Sequence, residues 1–383
     1  MKIIFDARVL TRGGLSGIEE YARNLLKTLL AVDSANRYFL FYSGLRKQPL
    51  NYQLPITNYQ SLKIIDWKIP NKIFEVSSRF LSWPKLDRFI EADLIFSPHF
   101  NILAKTETPR VITFHDLSFL RHPYFFSQKQ KFWHWLQNYK KQAQEAAKII
   151  AVSEFTKSDL VNLLAVPEEK ISVIYSGVDD QFKKMSADDR RLKDFRGKHK
   201  LDSPFILYLG TLEPRKNIPA IIRAFNALKS NPRFKDLKLI LAGRPGWLYQ
   251  NIANEIGKSS YGKDIALFGP VSGEDRVLLY NLAEVFIYPS FFEGFGFPPL
   301  EAQACGCPVI AADRASLPEI LGQSAILIDP WRVEELTEAV KKILDNPALK
   351  KRLQEAGLRN VQKFNWPNTA RQTLKLFNEI IKK

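Results

Sequence analysis

Short apolar runs, each followed by a longer segment in which apolar residues return at helical spacing, alternate along most of the chain. The runs Lys2–Phe5, Tyr38–Tyr42, Leu62–Ile65, Leu94–Phe96, Val111–Phe114, Lys148–Val152 and Ile171–Ile174 form a first series. A second series opens at Phe205–Leu209 and continues through Leu237–Ala242, Ala266–Phe268, Val285–Tyr288, Val309–Ala311 and Ala325–Ile328. Apolar runs of strand length separated by helical patterns predict parallel sheets flanked by helices. The expected fold class is therefore α/β, as two doubly wound, Rossmann-like domains facing an interdomain cleft. The polar stretch between the series sets the boundaries: 1–178, a linker region over 179–203, and 204–364. The last segment, 365–383, opens with Asn365-Trp366-Pro367 and predicts a helix with Leu374, Phe377 and Ile381 on one face.

Ligands of such sheets bind at the carboxyl ends of strands, so the loops there carry the candidate chemistry. The most informative is the run from Glu293 through Gly294, Phe295, Gly296 and Phe297 to Pro298, Pro299, Leu300 and Glu301. It reads as strand, tight glycine loop and helix N-terminus, where unpaired N–H groups and the helix dipole favour anions. Glu301 alone reads as a helix cap; the two glutamates together could grip separate hydroxyl groups of one ligand. A second run, Gly210 to Asn217, places Arg215 and Lys216 ahead of a helix over Ile218–Leu228. Adjacent cations there oppose the dipole unless an anion sits between them, so an anion site outweighs a solvent-facing basic pair. A third, Arg12 to Glu19, holds Gly13, Gly14 and Gly17, whose N–H groups could face a phosphate, but it is not Gly-x-Gly-x-x-Gly; an ordinary loop is an equal reading. The fourth, Thr113-Phe114-His115-Asp116-Leu117, offers a histidine that in isolation would be packing, with Asp116 as its orienting partner or a cap.

The run Glu293 to Glu301, with the following Ala302 to Ile310, resembles the Glu-x7-Glu motif of the retaining glycosyltransferases of family 4, the group 1 glycosyl transferases, and is most similar to bacterial mannosyltransferases. The resemblance covers both domains and implies the GT-B architecture, with an acceptor-side first domain, a nucleotide-sugar-binding second domain and a C-terminal helix returning to the first. It implies that Glu293 contacts the transferred sugar, that Gly294, Phe295 and Gly296 help hold sugar and phosphate, and that Glu301 takes the ribose hydroxyls. By the same resemblance Arg215 and Lys216 neutralise the diphosphate, Gly14 approaches it, and His115 lies near the reacting carbon. The catalytic residues so implied are His115, Glu293, Arg215 and Lys216. Backbone around Phe268-Gly269-Pro270-Val271 is expected to meet the base.

Composition narrows the alternatives. A chain of 383 residues with 45% hydrophobic and 25% charged residues can bury two cores. No apolar run approaches the roughly 20 residues needed to span a bilayer, and the N-terminus lacks a signal-peptide pattern, so the expected place is the cytoplasm, with a peripheral position on the inner membrane face left open. Cys305 and Cys307 lack a second pair for zinc and read as small buried residues. Asp-x-Asp is absent, so no metal or other cofactor is expected. The net charge of +16 divides evenly: residues 1–175 hold 24 basic and 16 acidic residues, the remainder 32 and 24, or +8 each. Such charge suits nucleic acid, anionic membrane or anionic small molecules alike. The densest basic cluster, Lys183 to Lys200, is interspersed with acids and reads as a solvated helical face between the domains. In the segment Phe125–Lys141, Phe132, Trp135, Leu136 and Tyr139 form a helical stripe read as core, whereas Trp133, with Lys129 and Lys140, lies on a face that could rest on an anionic bilayer.

The function these readings lead to is metal-independent, retaining transfer of a sugar, best mannose from GDP-mannose, to a glycan or lipid-linked acceptor in cell-surface polysaccharide assembly. The donor is a GDP- or UDP-linked sugar. A GT-B nucleotide-sugar epimerase is the alternative. A basic nucleic-acid-binding protein ranks last, because it would leave Glu293, Glu301, Arg215 and Lys216 without a common purpose; no nucleic-acid partner is expected.

Overall fold

The computed structural model describes residues 1–11, 16–44 and 62–382. All the apolar runs become strands, with ends displaced by no more than two residues. The first seven are β1 (Lys2–Asp6), β2 (Arg37–Ser43), β3 (Leu62–Trp67), β4 (Leu94–Ser97), β5 (Arg110–Phe114), β6 (Lys148–Ala151) and β7 (Ile171–Val173). The second series is β8 (Phe205–Leu209), β9 (Lys238–Ala242), β10 (Ile265–Gly269), β11 (Val285–Tyr288), β12 (Val309–Ala312) and β13 (Ile326–Ile328). They form two parallel sheets, ordered β3-β2-β1-β4-β5-β6-β7 and β10-β9-β8-β11-β12-β13. Central strands such as β4, β8 and β11 are buried throughout, because helices cover both sheet faces; the edge strand β3 is partly exposed. In each sheet the order reverses beside the first strand, between β1 and β4 and between β8 and β11, the place where such sheets open a crevice.

Residues 1–177 and 365–383 form one compact unit and residues 178–364 the other. The segment 179–203, set apart above as a linker, lies in the second unit. Its Met185 N–H donates to Asn281 Oδ1 at 2.8 Å, and its helix Arg190–His199 buries Leu192 and Phe195 while its charged residues face outward. The C-terminal helix Trp366–Ile381 packs in the first unit against the helix Gly17–Val32, with Phe377 5.3 Å from Phe96 and Trp366 5.8 Å from Tyr21 between ring centroids.

Two amphipathic readings are corrected. On the C-terminal helix the buried face runs through Trp366, Thr369, Ala370, Thr373 and Phe377, while Leu374 is half-buried and Ile381 exposed. Thr373 and Thr369 can be buried because their hydroxyls donate to the Thr369 and Tyr175 carbonyls at 2.8 and 2.7 Å. On the helix Gln128–Gln137, Phe132 and Trp135 are exposed and Trp133 turns inward, stacked 5.9 Å from His99. The stripe assumed one continuous helix, but Asn138, left-handed at φ 51°, ends it and Tyr139 starts another. Cys305 and Cys307 are buried free thiols, as expected. Among the described residues no helix is long and apolar enough to cross a membrane.

Candidate active site

At the β8/β11 reversal of the second unit, two loops leave adjacent strand ends. After β8, Pro214–Lys216 makes one 3-10 turn, and Asn217, left-handed at φ 55°, redirects the chain into the helix Ile218–Lys229. After β11 come Ser290, Phe291, Phe292 and Glu293. Backbone stitches the loops together: the Phe291 N–H donates to the Arg215 carbonyl at 2.9 Å, and Ser290 Oγ lies 3.2 Å from the same oxygen.

These contacts bring Arg215, Lys216 and Glu293 together. Arg215 Nη1 lies 3.0 Å from Glu293 Oε2 and donates to the Phe292 carbonyl at 2.5 Å. Its Nη2 and Nε reach Glu213 Oε1 at 2.9 and 3.1 Å. Lys216 Nζ donates to Glu293 Oε1 at 2.5 Å and to the Tyr288 hydroxyl at 2.6 Å, and Ser290 Oγ donates to Glu293 Oε1 at 2.6 Å. Glu213, Lys216 and Glu293 are each 7% exposed. Two cations thus face two carboxylates with little water between them, so the buried charge balances within the protein. The anion demanded by adjacent cations before a helix is supplied by Glu213 and Glu293.

Burial alone would raise the Glu293 carboxyl, but Arg215 and Lys216, with hydrogen bonds from Lys216 and Ser290, overcome it and bring the pKa down to about 2. Burial and the neighbouring Arg215 lower Lys216, opposed by Glu293 and Glu213.

The glycine loop is held from behind. The Ser316 hydroxyl and N–H donate to the Glu293 carbonyl at 2.9 and 3.3 Å, and Phe295 packs edge-on against Phe297 and Phe364. Gly296 caps the helix Phe297–Ala304 at φ 98°, a left-handed conformation that favours glycine, and a Cβ there would meet the buried Leu317 Cδ2 at 2.7 Å, so that side chain would have to shift. Pro298 and Pro299 occupy the first turn as expected. Glu301 is fully buried in that helix and has partners of its own: Arg276 Nη2 bonds its Oε1, and the Tyr280 hydroxyl donates to Oε2 at 2.9 Å. Arg276 also lies over the Phe182 ring, 5.0 Å from its centroid.

In the first unit, His115 stands at the carboxyl end of β5, its Nε2 2.8 Å from the Pro98 carbonyl. A carbonyl only accepts, so Nε2 carries the proton and Nδ1 the lone pair. Burial, outweighing the Pro98 hydrogen bond and the charge of Asp116, lowers the ring to about 4, so it is neutral near pH 7. Tyr21 stands edge-on to it at 4.7 Å. Asp116 is a cap: its Oδ1 accepts from the Ser118 N–H and hydroxyl at 2.9 and 2.6 Å. Gly14 lies outside the described residues. Among the described residues no group of three or more His, Cys, Asp or Glu is placed to hold a metal ion.

Sequence reasoning missed Glu213, Tyr288, Ser290, Arg276, Tyr280 and Ser316. Glu213 lay in plain view two residues before Arg215, and Ser290 three before Glu293. Nothing local marked Arg276, which reaches Glu301, or Ser316, which reaches the loop at the Glu293 carbonyl, both from other elements.

The family described as glycosyl transferases group 1 matches residues 189–360, and glycosyltransferase family 4 matches residues 15–182. Among similar proteins, O-antigen chain mannosyltransferase B of Escherichia coli is 30% identical over 269 residues, which cover 70% of this chain and 69% of that one. The serotype-specific mannosyltransferase WbdA of the same species is 29% identical over 62% of this chain, and the match spans only 29% of its own length. In fold, sucrose-phosphate synthase from Thermosynechococcus elongatus superposes with a TM-score of 0.77 at 21% identity, covering 100% of this chain and 99% of that one. Anabaena HepE, solved with UDP and glucose, gives 0.76 at 19% identity, covering 99% and 100%. With both families matched in order along two Rossmann-like units, the chain belongs to the family 4 glycosyltransferases and has their GT-B architecture.

Proposed function

We propose that this glycosyltransferase moves mannose from GDP-mannose, without a metal ion and with retention at the anomeric carbon, to a glycan or lipid-linked acceptor in cell-surface polysaccharide assembly. The observation that carries the reading is the buried, charge-balanced group of Arg215, Lys216, Glu213 and Glu293 at the β8/β11 reversal. When the sugar's C1–O bond breaks, the electron pair leaves with the nucleoside diphosphate and negative charge grows on its phosphate. Cations fixed in a dry site stabilise that charge with little reorganisation. Lys216 and Arg215 are held by carboxylates that a diphosphate would partly replace, so their charge is in place before the donor arrives. The acceptor hydroxyl attacks the face the diphosphate leaves, and its proton passes to a phosphate oxygen. Glu293, held ionised, stabilises the positive charge at the anomeric carbon rather than forming a bond to it. Glu301 would meet the donor's ribose once Arg276 yields one of its oxygens. Mannose is favoured by the names of the E. coli relatives; the HepE complex with UDP and glucose keeps a uridine donor as the competing case.

Calorimetric titration in EDTA with GDP, UDP, GDP-mannose, UDP-glucose and UDP-N-acetylglucosamine tests the reading. Selective binding of GDP and GDP-mannose, lost in Lys216→Ala, is expected. Preference for the uridine series would overturn the donor assignment, and binding that needs added Mg²⁺ would overturn metal independence.

A further inference from the structure

The first unit carries a helix that faces the wrong way for a protein bounded by water. Asn71–Phe80 buries Glu75, Ser77 and Ser78 beside Phe74, and turns Ile73, Val76 and Phe80 to solvent at i, i+3 and i+7. Phe80 is 62% exposed. Its ring lies 6.3 Å from that of Trp135, which lies 5.6 Å from that of Phe132, so the apolar face continues onto the helix Gln128–Gln137. Phe132 and Trp135 are 61% and 51% exposed, and Leu81 and Trp83 follow the first helix in the same exposed state. A contiguous apolar surface of this kind marks a place where something docks.

Charge says what. Across residues 71–83 and 128–137 the cations are Lys72, Arg79, Lys129 and Lys131, and the only carboxylate is the buried Glu75. Arg79 lies over the Trp135 ring at 5.3 Å, which places a cation at the edge of the aromatic surface. Exposed aromatic and aliphatic side chains rimmed by Lys and Arg, with no exposed acid, match the interface of an anionic bilayer, where rings sit at headgroup depth and cations meet phosphate. We propose that the helices Asn71–Phe80 and Gln128–Gln137 form a membrane-docking surface for anionic lipid, with Phe80, Phe132 and Trp135 entering the interface and Lys129 and Lys131 contacting headgroups. This moves the surface away from Trp133, which is packed inward against His99 and Phe100. It is independent of which sugar is transferred.

Co-sedimentation of the full chain with vesicles of phosphatidylglycerol and phosphatidylcholine, against phosphatidylcholine alone, tests it. The wild-type chain should pellet with the anionic vesicles and be released by salt. The triple variant Phe80→Ser/Phe132→Ser/Trp135→Ser should bind roughly tenfold more weakly with an unchanged melting transition, since all three side chains are exposed. The double variant Lys129→Glu/Lys131→Glu should lose the preference for anionic lipid, and decides the matter if the triple variant fails to fold. Wild-type chain left in the supernatant, or undiminished binding by either folded variant, would overturn the proposal. So would light scattering that shows a wild-type dimer, converted to monomer by the triple variant, without vesicle binding: the occupant would then be a second copy.

Discussion

The strand ends of the two units are built alike and furnished differently. In the second unit the β8/β11 loops concentrate two cations and two carboxylates in a nearly dry group, with Glu293 held ionised down to about pH 2. In the first, the end of β5 presents a neutral imidazole against Tyr21 and the Pro98 carbonyl, its pKa about 4. The same topology therefore offers preorganised charge in one unit and an uncharged polar group among aromatic rings in the other.

The sharpest way to break that contrast is to remove charge from the second unit. Glu293→Gln leaves Arg215 and Lys216 with one carboxylate between them, and kcat/KM should fall about 10²–10³-fold, measured as donor turnover with the native acceptor. A variant with full kcat/KM would show that the carboxylate has no electrostatic role. Glu213→Gln should act more mildly and through another residue. It removes the counter-charge at Arg215 Nη2 and Nε, so kcat should drop about tenfold with little change in KM, and Glu213→Asp should restore part of it. An effect on KM alone would make Glu213 a donor-affinity residue.

The smallest effects concern pH. Neither His115 nor Glu293 titrates between pH 5 and 8, so neither should bend kcat/KM there, and a limb near pH 6.5 that disappears in His115→Gln would refute the neutral assignment. Stability should follow the same two groups. His115 is depressed in the folded state, so the unfolded chain binds the extra proton first and stability declines as pH falls from about 6.5 to about 4. Glu293 is also depressed, but as an acid: its contribution is present above its ordinary value of 4.5 and is lost as pH falls toward about 2. Thermal melts of wild type and His115→Gln should therefore converge on acidification between pH 6.5 and 4.

How far the sequence could be read depended on the range of the interaction. The central strands were legible because a strand buried on both faces must be apolar along its length, and the partly exposed strands β3, β7, β10 and β13 because each keeps a short apolar run of strand length. The Glu293–Glu301 loop was legible because glycine, proline and carboxylate sit at fixed short offsets. Helix faces were read less well. The stripe of Phe132, Trp135 and Tyr139 failed at one left-handed residue, Asn138, and the face of the C-terminal helix failed because hydroxyls that bond backward can be buried as readily as methyl groups.

The chain by itself determined two parallel α/β units and the neighbourhood of Arg215, Lys216 and Glu293, since strand burial, turn chemistry and loop offsets are local properties. Only tertiary structure decided that those cations are answered by Glu213 and Glu293, that Glu301 belongs to Arg276 and Tyr280, and that Phe80 and Trp135 meet on an open surface. Partners separated by 77 or 25 positions, as for Lys216 with Glu293 and Arg276 with Glu301, are chosen by sheet order and helix packing. No periodicity along the chain encodes that choice.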